Sequence, residues 1–198
     1  TPKNQAAFPA SKNQHDKPSF PIMKIVALFS AASGAILAKA TGSFLQSELR
    51  LWMSLRQELR PNDILGGDRH FGCFVLAAWL KTLGVDLMAR LSSTRKVDFR
   101  QALKRLGPRD GLFLWRKPAK PSPLLSAQEW SALPEEITVR IIRTRELTVV
   151  TTLLDAGLYL AQEILTAYLK RWRLELCLDD LKTTLGMEML SCQSPEML

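Results

Sequence analysis

Asp63-Ile-Leu-Gly-Gly-Asp68-Arg-His-Phe71-Gly-Cys-Phe-Val-Leu-Ala-Ala-Trp79-Leu-Lys-Thr-Leu-Gly84-Val-Asp-Leu-Met-Ala-Arg-Leu91 decides the fold class. A short apolar run from Asp63 ends in the polar group Asp68-Arg69-His70. Phe71 to Leu83 then reads as a buried helix closed by Gly84, a residue that adopts the left-handed C-cap without steric cost. Val85 to Leu91 reads as a second strand. The order strand, helix, strand predicts an α/β layer architecture, with Asp68 at the tip of its first strand.

Upstream, residues 1–21 are polar and broken by Pro2, Pro9, Pro18 and Pro21, which reads as an extended loop. Met23 to Ser30 and Ala35 to Thr41 are apolar runs separated by a spacer containing Gly34, the pattern of a β-hairpin. Ser43 to Arg60 places Phe44, Leu45, Leu49, Trp52, Leu55 and Leu59 at helical spacing, with Ser43 as N-cap and Pro61 as stop.

Downstream, residues 92–146 are basic and interrupted by Gly107-Pro108, Pro118, Pro121, Pro123 and Pro134. Gly111 to Lys117 and Ile137 to Ile142 read as strands, so this stretch is expected to be a β-rich insertion. Trp115 and Trp130 fall within it and are expected to pack in that β-layer. Leu147 to Leu154 is a β-branched strand. Ala161 to Leu185 reads as one long helix ended by Gly186.

With 46% hydrophobic and 23% charged residues, the chain can bury a core. Lysine and arginine number 27 against 19 acids, a net charge of +8, and this excess favours a polyanionic partner. Cys73, Cys177 and Cys192 lack metal-ligand spacing and suit a reduced, cytoplasmic setting. With two histidines, His15 and His70, a His-rich metal site is excluded. The apolar run from Ile25 to Ala38 is too short to span a bilayer.

The late helix contains Tyr168-Leu-Lys-Arg171-Trp-Arg-Leu-Glu175-Leu-Cys-Leu-Asp-Asp-Leu-Lys182. At about 100° per residue, Arg171, Glu175 and Lys182 lie near 300°, 340° and 320° from Tyr168, on one narrow stripe. Leu174, Leu178, Leu181 and Leu185 form an adjacent apolar stripe. A carboxylate among a phenol, a guanidinium and an ammonium suits phosphodiester chemistry, since the carboxylate can hold a divalent metal and the cations can hold phosphate oxygens. The plainer reading is an amphipathic helix whose Glu175 and Lys182 are solvated surface charges.

The spacing Tyr-x2-Arg-x3-Glu-x6-Lys resembles the YREK signature of bacterial insertion-sequence transposases, in the group named after insertion sequence four. Tyr168, Arg171, Glu175 and Lys182 match it at every position. Gly67-Asp68-Arg69-His70-Phe71 resembles the family segment bearing the second catalytic aspartate, with His70 where glycine is usual. Arg95-Lys-Val-Asp-Phe99, Leu114-Trp-Arg-Lys-Pro118 and Thr148-Val-Val-Thr-Thr-Leu-Leu-Asp155 resemble neighbouring segments.

The resemblance implies a partial RNase H-like catalytic domain over residues 1–198: a mixed sheet flanked by helices, with the insertion at about 92–146. It implies an Asp–Asp–Glu triad holding two Mg²⁺ or Mn²⁺ ions, with Asp68 as second and Glu175 as third carboxylate. Tyr168, Arg171 and Lys182 would then grip DNA at the transposon terminal repeats. Further implied are a target DNA, dimers on paired ends, and a bacterial cytoplasmic, nucleoid-associated setting.

The first aspartate and its strand are expected upstream of Thr1. Asp16, Asp63 and Asp155 are read as turn or surface residues that do not replace it. An alternative function is therefore a truncated DNA-binding remnant without catalysis, and a third is a basic α/β domain with no nucleic-acid role.

Overall fold

The computed structural model describes residues 1–10, 20–172, 175, 176, 179, 183, 184, 192 and 194–197. They divide into two compact units, Thr1–Glu58 with Trp172–Leu198, and Leu59–Arg171. Asp16 and Lys182 lie outside the described residues.

In the first unit, helix α1 (Pro2–Ala7) stands where an extended loop was expected. Pro2 occupies the first turn, where its missing N–H costs nothing, and the Thr1 hydroxyl accepts from the Asn4 N–H. Strands β1 (Met23–Phe29) and β2 (Ile36–Ser43) form the expected antiparallel hairpin, with Met23 opposite Ser43. Gly34 takes φ 75° in its turn, a left-handed conformation that favours glycine.

The single helix expected over 43–60 is instead two short pieces. Helix α2 (Glu48–Trp52) is followed by a 3₁₀ segment, Met53–Glu58. Ser43 ends β2, and its hydroxyl accepts from Leu45 N in the turn that follows. Ser47 is the cap, accepting from Arg50 N at 3.1 Å.

The second unit holds one six-stranded sheet. Strand β3 (Ile64–Gly67), helix α3 (Phe74–Thr82) and strand β4 (Asp86–Arg90) are the unit read from 63–91. The two strands are parallel, with Ile64 opposite Asp86 and Gly67 opposite Ala89. Gly84 closes the helix at φ 70°. Strands β5 (Lys104–Gly107), β6 (Asp110–Arg116), β7 (Glu136–Arg143) and β8 (Thr148–Thr151) complete the order β3-β4-β8-β7-β6-β5, in which every pairing but β3–β4 is antiparallel. The segment 92–146 thus adds β5, β6 and β7 to the same sheet as β3 and β4. Helix α4 (Ala127–Ala132) lies between β6 and β7. Helices α3 and α5 (Ala161–Leu169) pack against β4. A mixed sheet flanked by helices is the expected fold class and is consistent with an RNase H-like fold.

One face of α5 buries Ile164, Leu165 and Tyr168 against Met88 of β4, Ile142 of β7 and Val149 of β8. Each fully buried aliphatic side chain there contributes about 1.5–3 kcal/mol, so this seam fixes the helix on the sheet. Trp115 is buried, as expected of packing rather than base stacking. The long helix expected over 161–185 is interrupted: α5 ends at Leu169, Lys170 forms a turn, and helix resumes at Arg171. The Lys170 N–H is shared between the Thr166 and Ala167 carbonyls, the tightening typical of a helix end. Lys170 itself keeps right-handed helical angles, φ -59° and ψ -21°, so Arg171 stays close to the angular relation with Tyr168 that a continuous helix gives. Among the described residues no helix is long and apolar enough to cross a membrane.

Candidate active site

Asp68 follows the last residue of β3, and the chain turns sharply behind it. A side chain at Gly67 would meet the Phe71 Cβ and Cγ at 2.5 Å, so the buried Phe71 folds back over the strand only because position 67 is glycine. A side chain at Gly72 would lie 2.7 Å from the carbonyl oxygen of Arg90. These two close approaches seat the Asp68 turn against the carboxyl end of β4. The register agrees: Gly67 pairs with Ala89, so Asp68 and Arg90 both leave their strands at the same end. In open sheets with parallel strands that end is where ligands bind.

The Asp68 side chain is 39% exposed. Its Oδ1 accepts from the His70 backbone N–H at 2.8 Å, and its Oδ2 lies 3.1 Å from His70 Nδ1. His70, which stands where the resembled family usually has glycine, is thus the residue that steadies the Asp68 carboxylate. The ring contact becomes an ion pair only when the imidazole is protonated. Asp63 and Asp155 behave as turn residues, accepting from Arg60 N at 2.8 Å and from Gly157 N at 2.8 Å respectively.

Tyr168 reaches the same place from α5. It is 2% exposed, and its hydroxyl oxygen has no hydrogen bond of good geometry among the described residues. Burial pushes its pKa above the ordinary tyrosine range; Arg171 and Arg90 pull it back, and Asp68 raises it further. Those influences place Asp68, Arg90 and Arg171 in the electrostatic neighbourhood of one phenol. Arg171 lies over the Tyr168 ring, 5.5 Å from its centroid, and favours the ionised phenol first as a nearby cation and second as a side-chain donor.

Arg171 contacts Tyr168, and Asp68 and Arg90, the latter not singled out by the sequence reading, lie within electrostatic reach of it. The signal for Arg90 was positional: the last residue of β4, one step past the partner of Gly67. Glu175 is helical and half-buried and belongs to the first unit.

A carboxylate with an accessible oxygen matches the oxygen-donor preference of Mg²⁺ or Mn²⁺. Among the described residues no three His, Cys, Asp or Glu side chains form a metal cluster. Asp68 fits such an ion as one ligand among several.

A family model described as "Transposase DDE domain" matches residues 1–198. The chain is 27% identical over 205 aligned positions to "Transposase InsG for insertion sequence element IS4" of Escherichia coli (strain K12). The match covers 100% of this chain and 45% of that relative, so the chain spans less than half of the relative's length. No solved structure matches the chain.

Proposed function

Because the chain belongs to the DDE-domain transposase family, we propose that it is part of the catalytic domain of a bacterial DNA transposase. The whole protein cuts and joins phosphodiester bonds at transposon ends, acting on DNA in the cytoplasm and nucleoid. The observation that carries this reading is the meeting of Asp68, Arg90, Tyr168 and Arg171 at the carboxyl end of the parallel strands. They come from three separate stretches of chain, and their chemistry is that of a phosphate site.

Asp68 and Glu175 would hold Mg²⁺ or Mn²⁺ together with a further carboxylate from outside these 198 residues. When bound, the metal supplies Lewis-acid activation of the attacking oxygen and neutralises charge at the leaving oxygen. Arg171 and Arg90 bring two permanent positive charges to a phosphodiester beside Asp68, offsetting its charge as the phosphorus is attacked. The Tyr168 hydroxyl, buried in this structure, would donate to a phosphate oxygen once uncovered, and Lys182 would hold the flanking backbone. Two copies would act on paired transposon ends.

The test is end cleavage by the full-length protein with Asp68→Asn or Glu175→Gln. Each is expected to lower cleavage by about 100-fold or more, as loss of a metal ligand does. Undiminished cleavage by either variant would remove that residue from the metal site.

A further inference from the structure

Beyond the Asp68 region lies a second basic feature, formed where the β4–β5 connection meets the turns between β5 and β6 and between β7 and β8. Two hollows adjoin there, of about 510 Å³ and 250 Å³, and share Arg143, Thr144 and Arg145. Arg109 lines the larger; Arg90 and Arg95 line the smaller. Among the described residues no carboxylate forms an ion pair with any of these five arginines. Glu146 is the one acidic side chain among the lining residues.

Solvated arginines scattered on a surface would need no explanation, but these are arranged. Arg95 stacks over the Trp115 ring at 4.3 Å, and Arg143 over Phe99 at 5.3 Å. Phe99 is itself held edge-on by Phe113, with ring centroids 5.6 Å apart. The Arg143 Nε donates to Thr148 Oγ1 at 3.3 Å. Its backbone N–H donates to the Arg109 carbonyl at 2.9 Å, tying the β5–β6 turn to the end of β7. Thr144 closes the β7–β8 turn by accepting from Leu147 N at 3.0 Å, which leaves Arg145 exposed at the tip. Guanidinium planes fixed by aromatic faces lose little freedom on binding and offer paired donors to phosphate oxygens.

Arg90 belongs both to this groove and to the neighbourhood of Asp68 and Tyr168, so the groove begins where the reacting phosphodiester is proposed to lie. We propose that Arg95, Arg109, Arg143 and Arg145 form a phosphate track that holds the DNA backbone leading away from the cleavage site. The track rests on the transposase reading for the identity of its polyanion. It reads phosphates and not bases, so it contributes affinity that is independent of sequence.

The test is duplex DNA binding by the full-length protein, measured with a duplex of arbitrary sequence over a range of NaCl concentrations. Arg109→Ala with Arg145→Ala removes two exposed guanidiniums without disturbing the stacked pair. The slope of log affinity against log salt is expected to shrink by about 2, near 0.9 per lost phosphate contact. A control pair, Lys81→Ala with Lys120→Ala, removes equal charge elsewhere and is expected to change the slope far less. Arg109→Lys with Arg145→Lys keeps the charge and should keep most of the slope, which covers the case in which the alanine pair fails to fold.

A slope unchanged by the arginine substitutions, or lowered equally by the control pair, overturns the track; so does a wild-type protein that binds no duplex at low salt. End cleavage that depends on Asp68 and Glu175 while the slope ignores the arginines leaves the transposase reading standing and the track refuted. An acidic protein partner in place of DNA would give that same unchanged slope.

Discussion

At the scale of single residues, Tyr168 is the most telling position. Its hydroxyl is buried with no hydrogen bond of good geometry among the described residues, and a hydroxyl so placed costs about 1–3 kcal/mol relative to one in water. Tyr168→Phe is therefore expected to leave stability unchanged or raise it by about 1 kcal/mol, read by chemical denaturation. End cleavage by the full-length protein should fall by about 10-fold or more, since a donor to the phosphate is lost. Lower stability with cleavage intact would make Tyr168 a packing residue only. The pH response follows from the raised pKa. The folded chain favours the neutral phenol more than the unfolded chain does, so this stabilisation is complete below about pH 10 and fades as pH climbs through the folded value. Tyr168→Phe should flatten that alkaline loss. Asp68 and Tyr168 stood out in the sequence through the family resemblance of the segments that carry them. Arg90 was not, because its place depends on the register between β3 and β4 and on the tight packing of Gly72 against its carbonyl.

At the scale of elements, Arg140 and Asp110 decide how α5 is presented. Arg140 is 1% exposed in the middle of β7. Its Nε donates to Asp110 Oδ1 at 2.9 Å, its Nη2 to Oδ2, and its Nη1 to the Tyr159 carbonyl at 2.6 Å, just before α5. One guanidinium thus ties β6, β7 and the entry to the helix bearing Tyr168. Asp110→Ala is expected to cost about 3–5 kcal/mol by denaturant titration, because it leaves a buried cation unpaired. Replacing both partners with apolar residues should cost less than Asp110→Ala alone, and strict additivity would refute the coupling. Nothing in Ile137-Thr-Val-Arg140-Ile-Ile marked that arginine as buried, since its partner lies far back in the sequence at the start of β6. Helix α4 was legible in principle: Ser126 and Glu129 form a capping box, with Ser126 N donating to Glu129 Oε2 at 2.8 Å, but the prolines before it hid the signal. The break at Lys170 was not legible, because Ala161 to Leu185 keeps a helical period through it and only the backbone shows the turn.

At the scale of the whole molecule, the α/β layering followed from the strand, helix, strand order over 63–91, since a βαβ unit admits few arrangements, while the mixed sheet was implied by the family resemblance. The division into units did not follow, because it falls between Arg171 and Trp172, inside a stretch whose sequence reads as one continuous helix. The match to the Escherichia coli relative covers 45% of that longer protein, and the resemblance assigns two carboxylates where the chemistry of a two-metal site calls for three. The consequence for the 198-residue chain on its own separates binding from catalysis. A net charge of +8 and an arginine groove need no metal, so the chain is expected to bind duplex DNA with an affinity that falls steeply as salt rises. Cleavage needs the full set of carboxylates, so the same preparation with Mg²⁺ or Mn²⁺ should leave a transposon-end duplex intact under conditions in which the full-length protein cuts it. The measurement is a gel-based cleavage assay run beside the binding titration. End-specific cutting by the chain alone would mean that its own residues complete the metal site. Negligible binding at low salt would mean that its positive charge serves no nucleic acid.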